Sequence, residues 1–531
     1  MSQKFDVIVI GSGFGGAVVA CRLAEAGARV LVLERGRRWT KDQYPRQLGD
    51  AWLFEHTQPQ KHNGWLDLRF FKGMAVAQGA GVGGGSLCYS SVVFEANPTQ
   101  FDFGWPPEIT YKELVPYYDR VRQIMGVRPI PAGQHTQRYK LMQQAAQKLG
   151  YSDRFQSLPL AISFDPMWNY GLPDPLNEKH SKQFINPQGK QQGTCIHLGN
   201  CDIGCDVYAK NTLDLNYIPA AERHNAQVRS LYLVRYIQPH EGGYRVIFDR
   251  IQDGKLIRGE EQSKIVVIAA GSLGSTELLL RCRDEYRTLP QISRTLGKNW
   301  SANANVLTPD FYGKDVKVNQ SIGPTISAGL DFTDSINGQS FMIEDDGFPN
   351  LLLNAVTAKL NTGRASPFAL ALQNHLRRGL DEKNPLSNVM VWLGVGVDAA
   401  DGQLSLGRNW LKPWKKDLKL RWDVRQSKAA IDAILNLQKQ LSQANGGNLY
   451  VPLYWSILRS LITVHPLGGC KMGTAAENGV VAHTGEVFGY ENLYVADGAI
   501  LPQSVGRNPS MTIAALAERI ADLMMCERNK K

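Results

Sequence analysis

No stretch of this 531-residue sequence stays apolar for long enough to read as a membrane span. The longest charge-free run, Gly73 to Phe94, has the length to cross a bilayer, but it holds six glycines together with Gln78, Ser86, Ser90 and Ser91 and so reads as backbone-rich loop. Space for a signal peptide is lacking too. MSQKFDVIVIG starts the first predicted strand within a few residues of Met1, and a cytoplasmic location is the default expectation. Low-complexity tracts and solenoid-type repeats are missing, which excludes fibrous and repeat architectures. Cysteine is sparse at eight residues, and Cys21, Cys88, Cys282, Cys470 and Cys526 are scattered singly, as in a reducing compartment. Acidic residues fall short of basic ones, 49 against 59, for a net charge of +10. Part of the excess sits at Lys412, Lys415, Lys416, Lys419 and Arg421, where Asp417, Trp414 and Trp422 interleave. No nucleic-acid motif accompanies it, so no nucleic-acid partner is expected, and peripheral contact with an anionic membrane surface is the remaining reading of the charge.

What is present is the composition of a globular protein, 43% hydrophobic and 20% charged. The length exceeds what one growing core holds and implies two intimately joined domains. Phe5 to Ile10 is an apolar run with β-branched residues; the glycine cluster GSGFGG and a helical pattern through Ala17, Val18, Leu23 and Ala24 follow, then a second apolar run from Arg29 to Leu33 that ends at Glu34. That order is a βαβ unit. Ile265 to Ala270 with the turn Gly271-Ser272-Leu273-Gly274, and later Leu493 to Val495 with Asp497 and Gly498, resemble further strands of the same sheet. Residues of roughly 300 to 455 show alternation and turn signals that suggest antiparallel strands. The expected fold is α/β: a Rossmann-like dinucleotide-binding domain built from separated segments (1–115, 195–299 and 456–531) and an α+β substrate domain (116–194 and 300–455) containing a mostly antiparallel sheet.

Gly11, Gly13 and Gly16 fit G-x-G-x-x-G, with Gly15 beside them. The first glycine permits a tight turn, the second lets a pyrophosphate approach the backbone, and the third allows close helix packing. Glu34 follows at a spacing suited to a ribose hydroxyl. A second cluster, Gly79 to Ser86, includes Gly81, Gly83, Gly84 and Gly85 and supplies amides without side-chain bulk, as a large flat cofactor needs where the backbone crosses it. Two glycine-rich contacts favour FAD over NAD. Near the C-terminus, His465 lies in HPLGGCKMG, where imidazole suits proton transfer near neutral pH. Asn508 precedes Pro509 and Ser510 at the start of a strongly helical run. It reads as an N-cap, and the helix would aim its positive end at whatever lies in front.

Together GSGFGG with Glu34, GAGVGGGS, AAGSLGSTELL, HPLGGCKMG and LYVADGAILPQSVGRNPSMTIAALAER resemble the glucose-methanol-choline (GMC) oxidoreductases, specifically the branch with non-covalent FAD that contains bacterial cholesterol oxidases. The resemblance implies alcohol oxidation in which His465 accepts or orients the hydroxyl proton, Asn508 holds the hydroxyl and the flavin edge, and the carbinol hydride passes to FAD. It also implies cofactor contacts at Val228, Gly271, Asp497, Gly498, Pro509 and Ser510. Glu344, in FMIEDDGFP, is the nearest match to the glutamate that isomerises a steroid double bond in that branch, with Asp345 and Asp346 adjacent. Tyr89, Ser90 and Ser91 depart from the branch, where a small amide and paired glycines stand.

Cys195, Cys201 and Cys205 form C-x5-C-x3-C, a spacing with which some dehydrogenase relatives bind an iron-sulfur cluster. A zinc or structural role with His197 as an added ligand, or three packed thiols, are the alternatives. The expected partner is a small-molecule alcohol on a bulky apolar body such as a sterol, with oxygen or an external carrier as electron acceptor. A sugar or polyol dehydrogenase and a non-catalytic flavoprotein are the rival readings. Ser366 to Leu376 and Val451 to Leu461 read either as apolar lids or as amphipathic helices packed on the core.

Overall fold

The computed structural model describes residues 5–530 except Leu48, Lys314, Asn337 and the segments 350–386, 409–415 and 452–460. Ser366 to Leu376, and all but the ends of Val451 to Leu461, therefore lie outside the described residues.

Strand β1 (Phe5–Ile10) is apolar on both faces, as a strand covered on both sides must be, and Ile8 and Val9 are fully buried. Helix α1 (Phe14–Glu25) returns the chain to β2 (Val30–Leu33), which runs parallel to β1 with Val7 opposite Val30. β3 (Gln227–Arg229) lies parallel to β2 on its far side. β4 (Tyr232–His240), β5 (Gly243–Gln252) and β6 (Lys255–Ile268) then form an antiparallel meander. β6 changes partner along its length. Its polar first half pairs antiparallel with β5, and its apolar end IVVI runs parallel to β1, with Ile10 opposite Ile268. Only that end was apolar enough to be read as a strand from sequence. Helix α2 (Gly271–Leu280) leaves from it.

The second sheet is antiparallel and built from β7 (Val306–Phe311), β8 (Ala328–Ile336), β9 (Gln339–Asp346) and β10 (Val389–Gly396), in the order β7, β10, β9, β8, with short strands at both edges. Helix α3 (Lys428–Ala444) lays Ile431, Ile434 and Leu441 on this sheet. A side chain at Gly394 would overlap Ile434, so a glycine there lets helix and strand close up. The chain then returns to the first sheet. β11 (Leu493–Val495) pairs in parallel with β6, and α4 (Ser510–Lys530) packs against α1. The two sheets are thus a mostly parallel, discontinuous nucleotide-binding sheet and an antiparallel one, the α/β architecture expected. Among the described residues no helix is long and apolar enough to cross a membrane.

Candidate active site

A cavity of about 870 Å³ opens where the parallel strands end, touching Ile10, Leu33 and Ala269, the usual ligand position in such sheets. Gly11 turns the chain there with φ +98°, and a side chain on it would overlap the carbonyl of Ala269. Gly15 and Gly16 are likewise pressed against backbone, against the carbonyls of Ala496 and Gly11. Gly13 is different. It is the N-cap of α1, has no side chain to cap the helix, and lies on the cavity wall. The first-turn N–H groups and the positive end of the helix therefore face the space where a phosphate would sit.

Glu34 is buried, accepts hydrogen bonds from Ser12 N (3.1 Å), Ser12 Oγ (2.7 Å) and Gly36 N (2.9 Å), and still reaches the cavity. Ser12 Oγ also accepts from Gly83 N (3.1 Å), tying the two glycine clusters together. Within the second cluster Gly79, Gly84 and Gly85 line the cavity. Gly81 packs under Trp39, Gly83 forms the turn with φ +106°, and Ser86 Oγ holds that turn by donating to Gly83 O (2.7 Å) and accepting from Leu213 N (3.0 Å). Val228 pairs with Val32 in the sheet and is not part of the cavity wall. Asp497 accepts from Gly271 N (2.8 Å), Ala499 N (2.8 Å) and Ser275 Oγ, which fixes the turn carrying Gly271 and Gly498 to the wall.

The residues fit FAD. A Cβ on Gly85 would meet nothing within 4 Å, and its backbone is not left-handed. Protein packing does not require glycine there. Its bareness serves the cavity, as a flat group lying on backbone demands.

His465, Asn508, Pro509 and Ser510 line the same cavity, together with the apolar Ile203, Leu307, Ile326 and Leu393. The loop 303–305 holds the two polar residues. Asn303 Nδ2 donates to Arg507 O (2.9 Å), beside Asn508, and Asn305 Nδ2 bonds His465 Nδ1 (3.1 Å). The orientation of the Asn305 amide is fixed by its other partners: Oδ1 accepts from Val464 N (3.1 Å), and Nδ2 donates to Asn303 O (3.3 Å). His465 Nδ1 is therefore an acceptor, and the proton of the neutral ring resides on Nε2. Burial pushes the imidazole down to about 4. Asn305 carried no signal in the sequence, because its partner is 160 residues away.

Glu344 is fully buried on β9, and Asn508 Nδ2 donates to its Oε2 (3.4 Å). Burial, opposed by that hydrogen bond, pushes its carboxyl up to about 8. It meets the cavity through Asn508 and is not itself part of the wall. Its neighbour Asp345 points the other way and takes Ser327 N (2.7 Å) and Ala328 N (2.6 Å), a structural role. Tyr89 lines the cavity with its hydroxyl given to Asn211 O (2.8 Å).

The cysteine triplet does not form the ligand set expected of a cluster. Among the described residues no three or more His, Cys, Asp and Glu side chains are grouped so as to hold a metal ion. Cys195 Sγ instead accepts from His197 N and Cys205 Sγ from Ala209 N. His197 is stacked on Trp168 with ring centroids 4.1 Å apart, and both its nitrogens are engaged, by Tyr170 Oη (2.9 Å) and Gln134 Oε1 (3.1 Å). The three thiols and His197 pack as interior.

Comparison with known proteins gives two family matches: GMC oxidoreductase over residues 401–517 and NAD(P)-binding Rossmann-like domain over residues 9–56. A cholesterol oxidase of Acinetobacter baumannii is 29% identical over 548 residues, which cover 98% of this chain and 94% of that protein. One from Mycobacterium tuberculosis is 28% identical, covering 98% and 91%. In fold, the chain is similar to pyridoxine 4-oxidase from Mesorbium loti, with a TM-score of 0.63 at 16% identity over 98% of this chain and 99% of that one.

Proposed function

We propose that this chain is a GMC-type, FAD-dependent alcohol oxidoreductase that oxidises a CH–OH group on a bulky, largely apolar body, a sterol first among them. The observation that carries this reading is that His465 and Asn508 line one cavity with Leu307, Ile326 and Leu393. The names of the two cholesterol oxidases that match nearly the whole chain support the sterol.

Gly13, Gly84, Gly85, Glu34, Gly271, Gly498 and the start of α4 would hold FAD, which when bound supplies the acceptor for the carbinol hydride. The remaining work falls to side chains. His465, neutral and with its proton on Nε2, donates to the substrate oxygen and orients it. Asn508 Oδ1, which has no hydrogen-bond partner, accepts the substrate O–H from the other side. Because the imidazole is already protonated on Nε2, it orients the hydroxyl and does not receive its proton, which leaves through the cavity to solvent; Glu344, behind Asn508, accepts from Asn508 Nδ2 (3.4 Å) and so aims Oδ1 at the hydroxyl. Donors fixed in advance stabilise charge as it develops on oxygen.

Two results are expected. In Asn305→Leu, FAD content stays as in the native protein while kcat drops about tenfold to a hundredfold, the scale of a misoriented proton-handling group. In Asn305→Asp, a carboxylate beside Nδ1 raises the imidazole pKa, so an acid limb enters the pH profile. Unchanged kcat and pH profiles in both variants would remove Asn305 from the account. For the native enzyme, kcat/KM should climb with pH below about 8 and level off above it, because ionised Glu344 holds the Asn508 amide more strongly and so orients the substrate hydroxyl. Glu344→Gln should abolish that limb, and a flat native profile from pH 6 to 9 would contradict the role of Glu344.

The substrate class is tested by comparing kcat/KM for a detergent-dispersed 3β-hydroxysterol with that for sorbitol and glucose. A higher value for the sterol is expected, and a higher value for a polyol would sink the apolar reading.

A further inference from the structure

Three buried acceptor oxygens near the reacting end have no hydrogen-bond partner: Asn508 Oδ1, Glu344 Oε1 and Asp346 Oδ1. A simple alcohol brings one O–H, and Asn508 uses it. Buried polar groups are rarely left unmatched, so the substrate has more to supply.

Alternation along β9 puts Glu344 and Asp346 on one face and Asp345 on the other, with Asp346 roughly 7 Å along the strand from Glu344. Asp346 lines the cavity, and so does Asp202 from a separate loop. Asp202 Oδ1 accepts from Ser90 Oγ (3.0 Å). The nearby cations are committed elsewhere. Lys210 donates to Leu87 O (2.7 Å), Tyr89 O (3.2 Å) and Cys201 O, and Arg138 donates to five carbonyls between Asn319 and Thr325. Neither makes an ion pair with the two acids among the described residues.

We propose that Asp346 and Asp202 form a second polar subsite, which binds another hydroxyl of the substrate a few bonds from the one that is oxidised. This rests on the reading of the chain as an alcohol oxidoreductase and narrows its substrate to a diol-type molecule. Burial, and then the proximity of Asp202, push the Asp346 carboxyl well above the usual carboxylate range, which favours its protonated form. A protonated carboxyl both donates and accepts, and a hydroxyl complements it in both directions. A ketone only accepts, and an ammonium would call for an ionised partner.

The test uses the FAD-loaded enzyme and two matched series. One is 5α-cholestan-3β-ol, its 3β,6α-diol and the corresponding 6-ketone; the other is cyclohexanol, trans-1,4-cyclohexanediol and 4-hydroxycyclohexanone. In at least one series the diol should exceed the mono-alcohol in kcat/KM by roughly ten- to a hundredfold, because a site built for a hydroxyl discriminates against its absence. In Asp346→Leu the ratio should fall towards one, and Asp346→Asn, which still donates and accepts, should keep part of it. Asp202→Asn provides the same comparison if Asp346→Leu does not fold. A ratio near one in both series, or an unaltered ratio in the variants, overturns the subsite. Loss of FAD or a displaced flavin spectrum in Asp346→Leu would also overturn it, by placing the pair against the ring. If only the cyclohexane series reacts and keeps the preference, the sterol reading fails and the subsite stands. If mono-alcohol and diol are oxidised alike and only in the sterol series, the sterol reading stands and the subsite fails.

Discussion

Replacing His465 by alanine is expected to lower kcat by about two to four orders of magnitude while the protein stays folded and yellow. The size follows from the position of the ring. Asn305 ties Nδ1, so Nε2–H is the one donor the imidazole offers, and the ring lines the cavity together with Asn508. Such a donor acts on negative charge as it grows on the substrate oxygen, so its loss falls mainly on kcat. The imidazole is held by Asn305, outside the glycine turns expected to hold FAD, so binding of the cofactor should survive. Stopped-flow reduction under anaerobic conditions measures the step directly. His465→Gln, which keeps an N–H donor, should recover part of the rate. Reduction of the flavin at the native rate in His465→Ala would remove this residue from the chemistry.

The second large effect belongs to Gly15. A methyl group there overlaps the carbonyl oxygen of Ala496, which follows β11 in the sheet, while Gly15 lies in the first turn of α1. Neither side can yield, because α1 packs against α4 and β11 is hydrogen-bonded to β6. Gly15→Ala should therefore separate the N-terminal and C-terminal pieces of the nucleotide-binding sheet, at a cost of about 1–3 kcal/mol or more for overpacking, and yield a protein with little or no FAD. Gly13→Ala is the informative companion. The nearest atom to a Cβ at Gly13 is Gly84 Cα at 3.9 Å, an ordinary contact, so the protein has room for it. Its methyl faces the cavity, and the expected outcome is native melting with weakened FAD affinity. Thermal melting and flavin content of the two variants separate packing from cofactor contact. FAD retained in full by both would contradict the placement of the cofactor.

The parts of the fold that the sequence disclosed are those in which a short segment contains its own reason. Phe5 to Ile10, GSGFGG and Val30 to Glu34 form one contiguous unit, and their apolar runs and glycines appear in the structure as β1, the turn, α1 and β2. β6 was half-legible. Its IVVI end has the composition of a buried strand, but Lys255 to Ser263 is polar because it faces solvent in the meander, and polarity alone suggests loop. The site divides in the same way. Gly11, Gly13 and Glu34 lie within one unit, while Asn305, Ser12 and the pair Asp202 and Asp346 act across the fold through contacts that no local pattern encodes. The cysteine spacing left alternatives open for the complementary reason: three thiols at suggestive intervals say nothing about where their sulfurs point, and here Cys195 and Cys205 accept from backbone N–H groups while His197 stacks on Trp168.

The central claim is that FAD sits in the glycine-lined cavity and takes a hydride from an alcohol held by His465 and Asn508. Its most direct test is the visible spectrum of the purified protein, recorded anaerobically before and after addition of a panel of sterols, diols and aliphatic alcohols. The account predicts an oxidised-flavin spectrum that bleaches with one member of the panel, with one carbonyl product formed per flavin reduced. A protein that carries no flavin, or a flavin that no alcohol in the panel bleaches, would contradict it.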